Sequence, residues 1–163
     1  MAPFWQLCDN GDLEAVRAAI ARGEDVNAGD DQSVTGLMWA LVMEHNSVVK
    51  VLLQQPSLDI NSIASNGNTA IHWSCSCGNL TGLRMPLGDP RLSSVNTGCK
   101  SGFTPLMVAV LKGKVEFVRE LMRVEGVDLE TRDGEGRSPE ELARWVKCRA
   151  VFGTDKIPLI SLE

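Results

Sequence analysis

Between Thr69 and Asn79 the chain reads TAIHWSCSCGN, which sets His72, Cys75 and Cys77 within six residues, with Cys99 in the stretch that follows. Imidazole and thiolate are preferred zinc ligands, and four of them within tetrahedral reach would make a structural metal site. A single thiol of the group that met solvent would instead be a place for oxidation. Either chemistry depends on where the four side chains point, so the elements that carry them come first.

The stretch is one copy of a repeated pattern. TGLMWALVMEHNSVVKVLL begins at Thr35, TAIHWSCSCGNLTGLRMPL at Thr69 and TPLMVAVLKGKVEFVRELM at Thr104, at spacings of 34 and 35 residues. SPEELARWVKC begins at Ser138, and APFWQLCDNGDLEAVRAAI begins at Ala2, 33 residues before Thr35. A Thr or Ser opens each later copy, where its hydroxyl can accept from the free N–H groups of a helix's first turn. Pro105 and Pro139 sit just inside such starts, where a missing N–H costs nothing. Apolar residues follow at helical spacing, then a polar or Gly-containing break (DNG, EHN, CGN, KGK), then a second amphipathic run. An extended piece such as EDVN, LDIN or VDLE and a turn rich in Gly, Asp, Asn and Ser close the unit. One such unit cannot bury both its helices, whereas stacked copies share a continuous core. The expected fold is therefore an all-α solenoid of helix-turn-helix units joined by hairpin-like loops. Units start near residues 2, 35, 69, 104 and 138, the array covers 1–150, and 151–163 form an irregular tail whose apolar end, Ile157 to Leu162, is expected to dock partly on the last unit.

TPLMVAVLKGKV and TAIHWSCSCGNL resemble the ankyrin repeat pattern T-P-L-H-x-A-A-x-x-G-H, and LDIN and EDVN resemble its D-V-N lead-in. The resemblance covers about residues 2–150. His72 matches the family histidine, while Trp5, Met38, Met107 and Glu141 stand at that position elsewhere. The resemblance implies that the His72 imidazole bridges neighbouring loops. Cys75 then falls where small residues pack between helices, and Cys77 falls near the end of the first helix on the outward side. These thiols point apart, so no metal and no cofactor is expected. A metal- or thiol-dependent function at His72, Cys75, Cys77 and Cys99 is the alternative. A second alternative is a regulatory ankyrin segment of a larger protein.

The third unit is odd. Its second helix reads GLRMPL over 82–87, with Gly82 at a core aliphatic position and Pro86 in the last turn. Proline costs about 3 kcal/mol and glycine about 1 in a helix interior, which predicts a short or bent helix and the lowest local stability in the array. One extra residue follows, in GDPRLSSVN.

Nothing catalytic emerges. Only two histidines are present, His45 and His72, and His45 is expected to face solvent at an inter-helix turn. No P-loop, nucleophile elbow, zinc-protease or dinucleotide fingerprint occurs, so no enzyme is expected. The net charge of −5 argues against nucleic acid and anionic membrane surfaces. It is uneven, with two basic and seven acidic residues over 1–33 and three basic and one acidic over 67–101. No apolar run nears the roughly 18 residues of a membrane span. Five cysteines at irregular spacing suit a reduced compartment, so a cytoplasmic monomer is expected, with the nucleus as another place for it.

The resemblance implies protein–protein recognition by a concave face built from hairpin tips and first helices. The tips map to Asp31, Gln32 and Val34; to Ser65, Asn66 and Asn68; to Lys100, Ser101 and Phe103; and to Glu135 and Arg137. The helix positions are Val42 and Met43, Ser76 and Cys77, and Leu111 and Lys112. This row is rich in apolar side chains for a solvated face, which marks it as a partner surface, with Phe103 and Met43 as anchors. Trp39 and Trp73 hold equivalent positions and are expected to pack along the groove wall. LQQPSLDIN (53–61) is similar to the ankyrin motif of asparaginyl hydroxylation, which makes Asn61 a candidate for modification beside its turn-holding role.

Overall fold

The computed structural model describes residues 2–144. Helices come in pairs: α1 (Phe4–Asp9) with α2 (Leu13–Ala21), α3 (Gly36–Val42) with α4 (Asn46–Leu53), α5 (Ala70–Cys77) with α6 (Leu80–Leu87), and α7 (Pro105–Leu111) with α8 (Val115–Met122). α9 (Pro139–Ala143) opens the fifth unit. The first helices stack in one row, α1, α3, α5, α7 and α9, and the second helices in another, α2, α4, α6 and α8. Among the described residues no strand forms, and Gly29 and Thr35 make an isolated antiparallel bridge. The solenoid of stacked helix pairs is the fold expected from the repeats. The rest of the fifth unit and the docking of Ile157 to Leu162 lie outside the described residues.

Local sequence fixes the helix starts. The hydroxyls of Thr104 and Ser138 accept from the N–H groups of Met107 and Glu141. Asp12 and Asn79 do the same for α2 and α6. Thr35 makes no such bond and is simply buried. Leu37, Leu41, Leu52, Ile60, Ile71, Leu83, Met107 and Leu121 are fully buried between the two rows, each worth about 1.5–3 kcal/mol relative to exposure. Gly36 lets the first two units close up, since a Cβ there would lie 2.7 Å from the Cys8 Sγ.

Polar clamps join each unit to the next in three registers. At the hairpins, the N–H groups of Ser65, Lys100 and Gly134 donate to the carbonyls of Gln32, Asn66 and Ser101 in the preceding hairpin. In the loops, Asn27, Asn61 and Asn96 each donate Nδ2 to a carbonyl of the next unit (Ser57, Arg91 and Gly126). Their Oδ1 atoms accept from N–H groups of the same loops, at Asp59, at Ser93 and Ser94, and at Asp128. At the helix ends, the residue before each later second helix reaches back. His45 Nε2 donates to the Asp9 carbonyl, Asn79 Nδ2 to Leu41 and Lys114 Nζ to Ser76, over 2.9–3.2 Å. These carbonyls belong to the last turn of a helix and have no partner within it. His45 is thus half-buried against the first unit, where the sequence reading had it facing solvent.

The third unit also departs from expectation. α6 spans eight residues, as do α4 and α8, so the predicted shortening does not occur. Gly82 is the reason for part of this. The Asn79 side chain accepts from the Gly82 N–H and donates to Leu41 O and Asn46 Oδ1, and a Cβ on Gly82 would sit 2.6 Å from its Cγ. Glycine makes room for a buried polar clamp where the sequence suggested a missing aliphatic. The longer loop is used as well: Arg91 donates to the carbonyls of Leu53 and Gln55 at 2.8 Å and pairs with Asp89 at 2.6 Å. The bonds to Leu53 and Gln55 cross the junction of the second and third units, where the buried apolar residues divide into two clusters.

Candidate functional site

The four residues that could have done metal chemistry do not converge, and among the described residues no three His, Cys, Asp or Glu side chains are arranged to hold a metal. His72 is buried, with both ring nitrogens used. Nδ1 accepts from the Thr69 backbone N–H at 3.1 Å, so Nε2 carries the proton, which it gives to the Phe103 carbonyl at 2.9 Å. Burial pushes the imidazole below its ordinary value, against the opposing pull of that carbonyl. Cys75 is fully buried, and burial drives its thiol up to about 12, as it does for Cys8. Cys77 is exposed. Its thiol is also raised by partial burial and by Glu44, against Lys114 and Lys112, so it is less of a thiolate than an ordinary cysteine.

The hairpins stack on one another through backbone bonds and the first helices stack in one row, and between the third and fourth units residues of both share one exposed face. Asp31, Gln32, Ser65, Asn66, Lys100, Ser101 and Glu135 are exposed at the tips, while Asn68, Phe103 and Arg137 are half-buried. On the helices, Ser76, Cys77 and Lys112 are exposed, and Met43 and Leu111 are 46% and 42% exposed. Val34 belongs to the core at 7% exposure, because the hairpin turns its side chain inward ahead of α3; it is not part of the outward row. Val42 is half-buried. The Arg137 guanidinium is committed to Asp133 and Glu135 at 2.8 and 2.7 Å, so it braces its own hairpin. Burial pushes the Asp133 carboxyl up, but the N–H and guanidinium of Arg137 and the Glu135 N–H outweigh this and hold it below its ordinary value.

Asp30 has the same place in the second unit's hairpin as Asp133 has in the fifth's. It accepts from the N–H groups of Gln32 and Val34 and from the Trp39 indole at 3.2 Å. Trp39 also meets Trp5, ring centroids 6.2 Å apart, and both Trp39 and Trp73 pack against the core as expected. In the third unit Ala64 replaces the aspartate, and the buried Trp73 Nε1 has no partner. Asn61 has its whole amide in the loop clamp described above, so its turn-holding role is met by direct bonds.

Two features escaped the sequence reading. Ile63, 53% exposed, is the most exposed large apolar side chain among the described residues. It aligns with Gly29, Gly98 and Arg132, and that column of non-core residues is the signal that could have found it. Between the third and fourth units the face dips into a cleft of about 230 Å³ lined by Asn68, His72, Ser76, Phe103, Val108, Leu111 and Lys112. A larger recess of about 650 Å³ lies away from this face, between the loop after α6 and the end of α8, with Leu87, Leu92 and Val95 in its wall and the Arg84–Glu120 ion pair among its charged lining.

Family models decide what kind of array this is: one described as ankyrin repeats (3 copies) matches residues 4–87, and one described as ankyrin repeats (many copies) matches 91–143. The chain belongs to the ankyrin repeat family. The two matches meet at the loop after α6, where the extra residue and the Arg91 clamp lie. The ankyrin array is 28% identical over 123 residues to human transient receptor potential cation channel subfamily A member 1, covering 74% of this chain and 11% of the channel. It is 26% identical over 138 residues to the ankyrin repeat protein YahD of Escherichia coli, covering 85% of this chain and 67% of YahD. It is 27% identical over 163 residues to "Putative palmitoyltransferase ZDHHC13" of Danio rerio, covering 90% of this chain and 24% of that protein. Ankyrin repeats are in general protein-interaction modules, and the family is generally non-catalytic. No helix among the described residues is long and apolar enough to cross a membrane.

Proposed function

We propose that this ankyrin array is a recognition module that binds another protein through the concave face of hairpin tips and first helices, with no catalysis of its own. One observation carries the reading. Met43, just after α3, and Leu111, at the end of α7 two units on, stand about half exposed, and Leu111 lines a cleft together with the tip residues Asn68 and Phe103. Exposed apolar side chains spread along a polar-rimmed face suit a partner better than solvent. The module acts as a monomer in the cytoplasm or nucleus. A second form of the reading, a regulatory segment within a longer protein, draws support from the matches to the channel and to ZDHHC13, where this array corresponds to only 11% and 24% of the chain.

The test is capture from native lysate by the wild type and by a Met43→Glu, Leu111→Glu double variant of matched thermal stability. Both positions are exposed, so the fold tolerates them, whereas the half-buried Phe103 would confound the result. A protein held by the wild type and lost by the variant supports the face. Equal capture by both moves the site elsewhere and overturns the reading.

A further inference from the structure

The cleft between the third and fourth units has a chemistry more specific than the face around it. Its apolar wall comes from Phe103, Val108 and Leu111. Its polar floor is already satisfied at His72, whose two nitrogens bond within the protein. No carboxylate lines it. Lys112 does, Lys114 Nζ rests 2.9 Å from the carbonyl of the lining residue Ser76, and Lys100 stands at the tip of the hairpin that supplies Phe103. Among the described residues none of these three lysines is in an ion pair. A volume of about 230 Å³ lies below the usual span for a whole small-molecule ligand, roughly 300–1,000 Å³. It suits one large side chain.

We propose that this cleft seats a single large apolar side chain of a short acidic protein segment, whose carboxylates face Lys112 and Lys100. The inference rests on the concave face being the partner surface and names the chemistry of what lies on it. The field on the face has a direction. Asp31 and Glu44 are exposed in the second unit, so the segment's acidic residues lie toward the fourth unit and away from the second. An apolar side chain in the cleft contributes through burial, and the facing charges select the segment and speed its capture.

A random peptide library displayed on phage and selected against the whole chain tests this. The expected selection is enriched in peptides that carry Leu, Met or Phe next to Asp or Glu. Lys112→Glu should weaken the selected peptides roughly tenfold at low salt and less at high salt. Peptides with Lys in place of their acidic residues should recover binding to Lys112→Glu. Leu111→Gln, at an exposed position, should weaken both sets. Selected peptides that lack acidic residues, or that ignore Lys112→Glu, overturn the inference. If such peptides are still lost with the Met43→Glu, Leu111→Glu variant, the face remains the partner surface and only its assigned chemistry fails. A library that yields no binder also overturns it, because a cleft made for a linear segment must select one, while lysate capture continues to judge the face.

Discussion

The imidazole of His72 and the backbone of Phe103 are held together across a unit boundary: Nε2 donates to the carbonyl at 2.9 Å while Nδ1 accepts from Thr69. A second proton on Nδ1 would destroy the acceptor and place a charge in the core. The folded form therefore disfavours protonation, and burial keeps the imidazole below its ordinary 6.5. The unfolded chain binds the proton more readily, so stability is full above pH 6.5 and falls as pH drops below it. Asp89, Glu120, Asp128, Asp133 and Glu141 are held below their ordinary values of 3.8 and 4.5, and their contribution is lost only in the more acidic range beneath those values. Thermal melts at pH 7.5 and 5.0 should thus show a drop in the wild type that shrinks in His72→Gln. An equal drop in both would refute the assignment.

Gly82→Ala should destabilise the array by about 1–3 kcal/mol, although alanine is the better helix former by about 1 kcal/mol. The new methyl would displace the Asn79 side chain, leaving the N–H of residue 82 unpartnered and the Leu41 carbonyl with only the long bond from the Glu44 N–H at 3.4 Å. Urea unfolding measures it, and a rise in midpoint would mean that Gly82 is a plain helix defect.

Arg91→Ala should cost about 1–3 kcal/mol through the lost bonds to the carbonyls of Leu53 and Gln55 and the lost, largely covered pair with Asp89. Hydrogen exchange should speed up first around residues 53–60 and 80–92, at the junction of the two core clusters. Uniform acceleration along the whole chain would show that this junction is no weaker than the rest.

Ala64→Asp should stabilise by about 1 kcal/mol. Asp30 and Asp133 already show what an aspartate does at this point of a hairpin, and the Trp73 Nε1 awaits an acceptor. The gain should shrink in a Trp73→Phe background, a double-mutant cycle that separates the indole bond from the turn bonds. Loss of stability in the Trp73-containing protein would mean that the carboxylate's desolvation outweighs the bonds.

The repeat period, the paired helices and the core positions were legible because each depends on local pattern: Thr or Ser starts, apolar spacing and turn residues recur at one period. What the sequence hid lies between units. Nothing local says that His45 leans on Asp9, that Gly82 yields space to Asn79 or that Arg91 reaches Leu53. Proline and glycine penalties read in isolation make α6 look shortened, while two of the groups that hold its Asn79 cap in place, Leu41 and Asn46, are more than thirty residues away. Val34 was placed outside for a related reason, since a hairpin tip can turn one side chain inward without any change in composition. The cleft beside Lys112 needs two units to exist and has no signature in either one.

The helix-end clamps all point one way along the chain: His45 serves Asp9, Asn79 serves Leu41 and Lys114 serves Ser76. Each of the first three units is finished by its successor. On a ribosome, which releases the amino-terminal units first, each of the first three helix pairs waits for its clamp until the following turn has been translated. At about 5–20 residues per second that wait lasts on the order of a few seconds per unit, so the array assembles as a queue in which the most recent arrival is always the incomplete one.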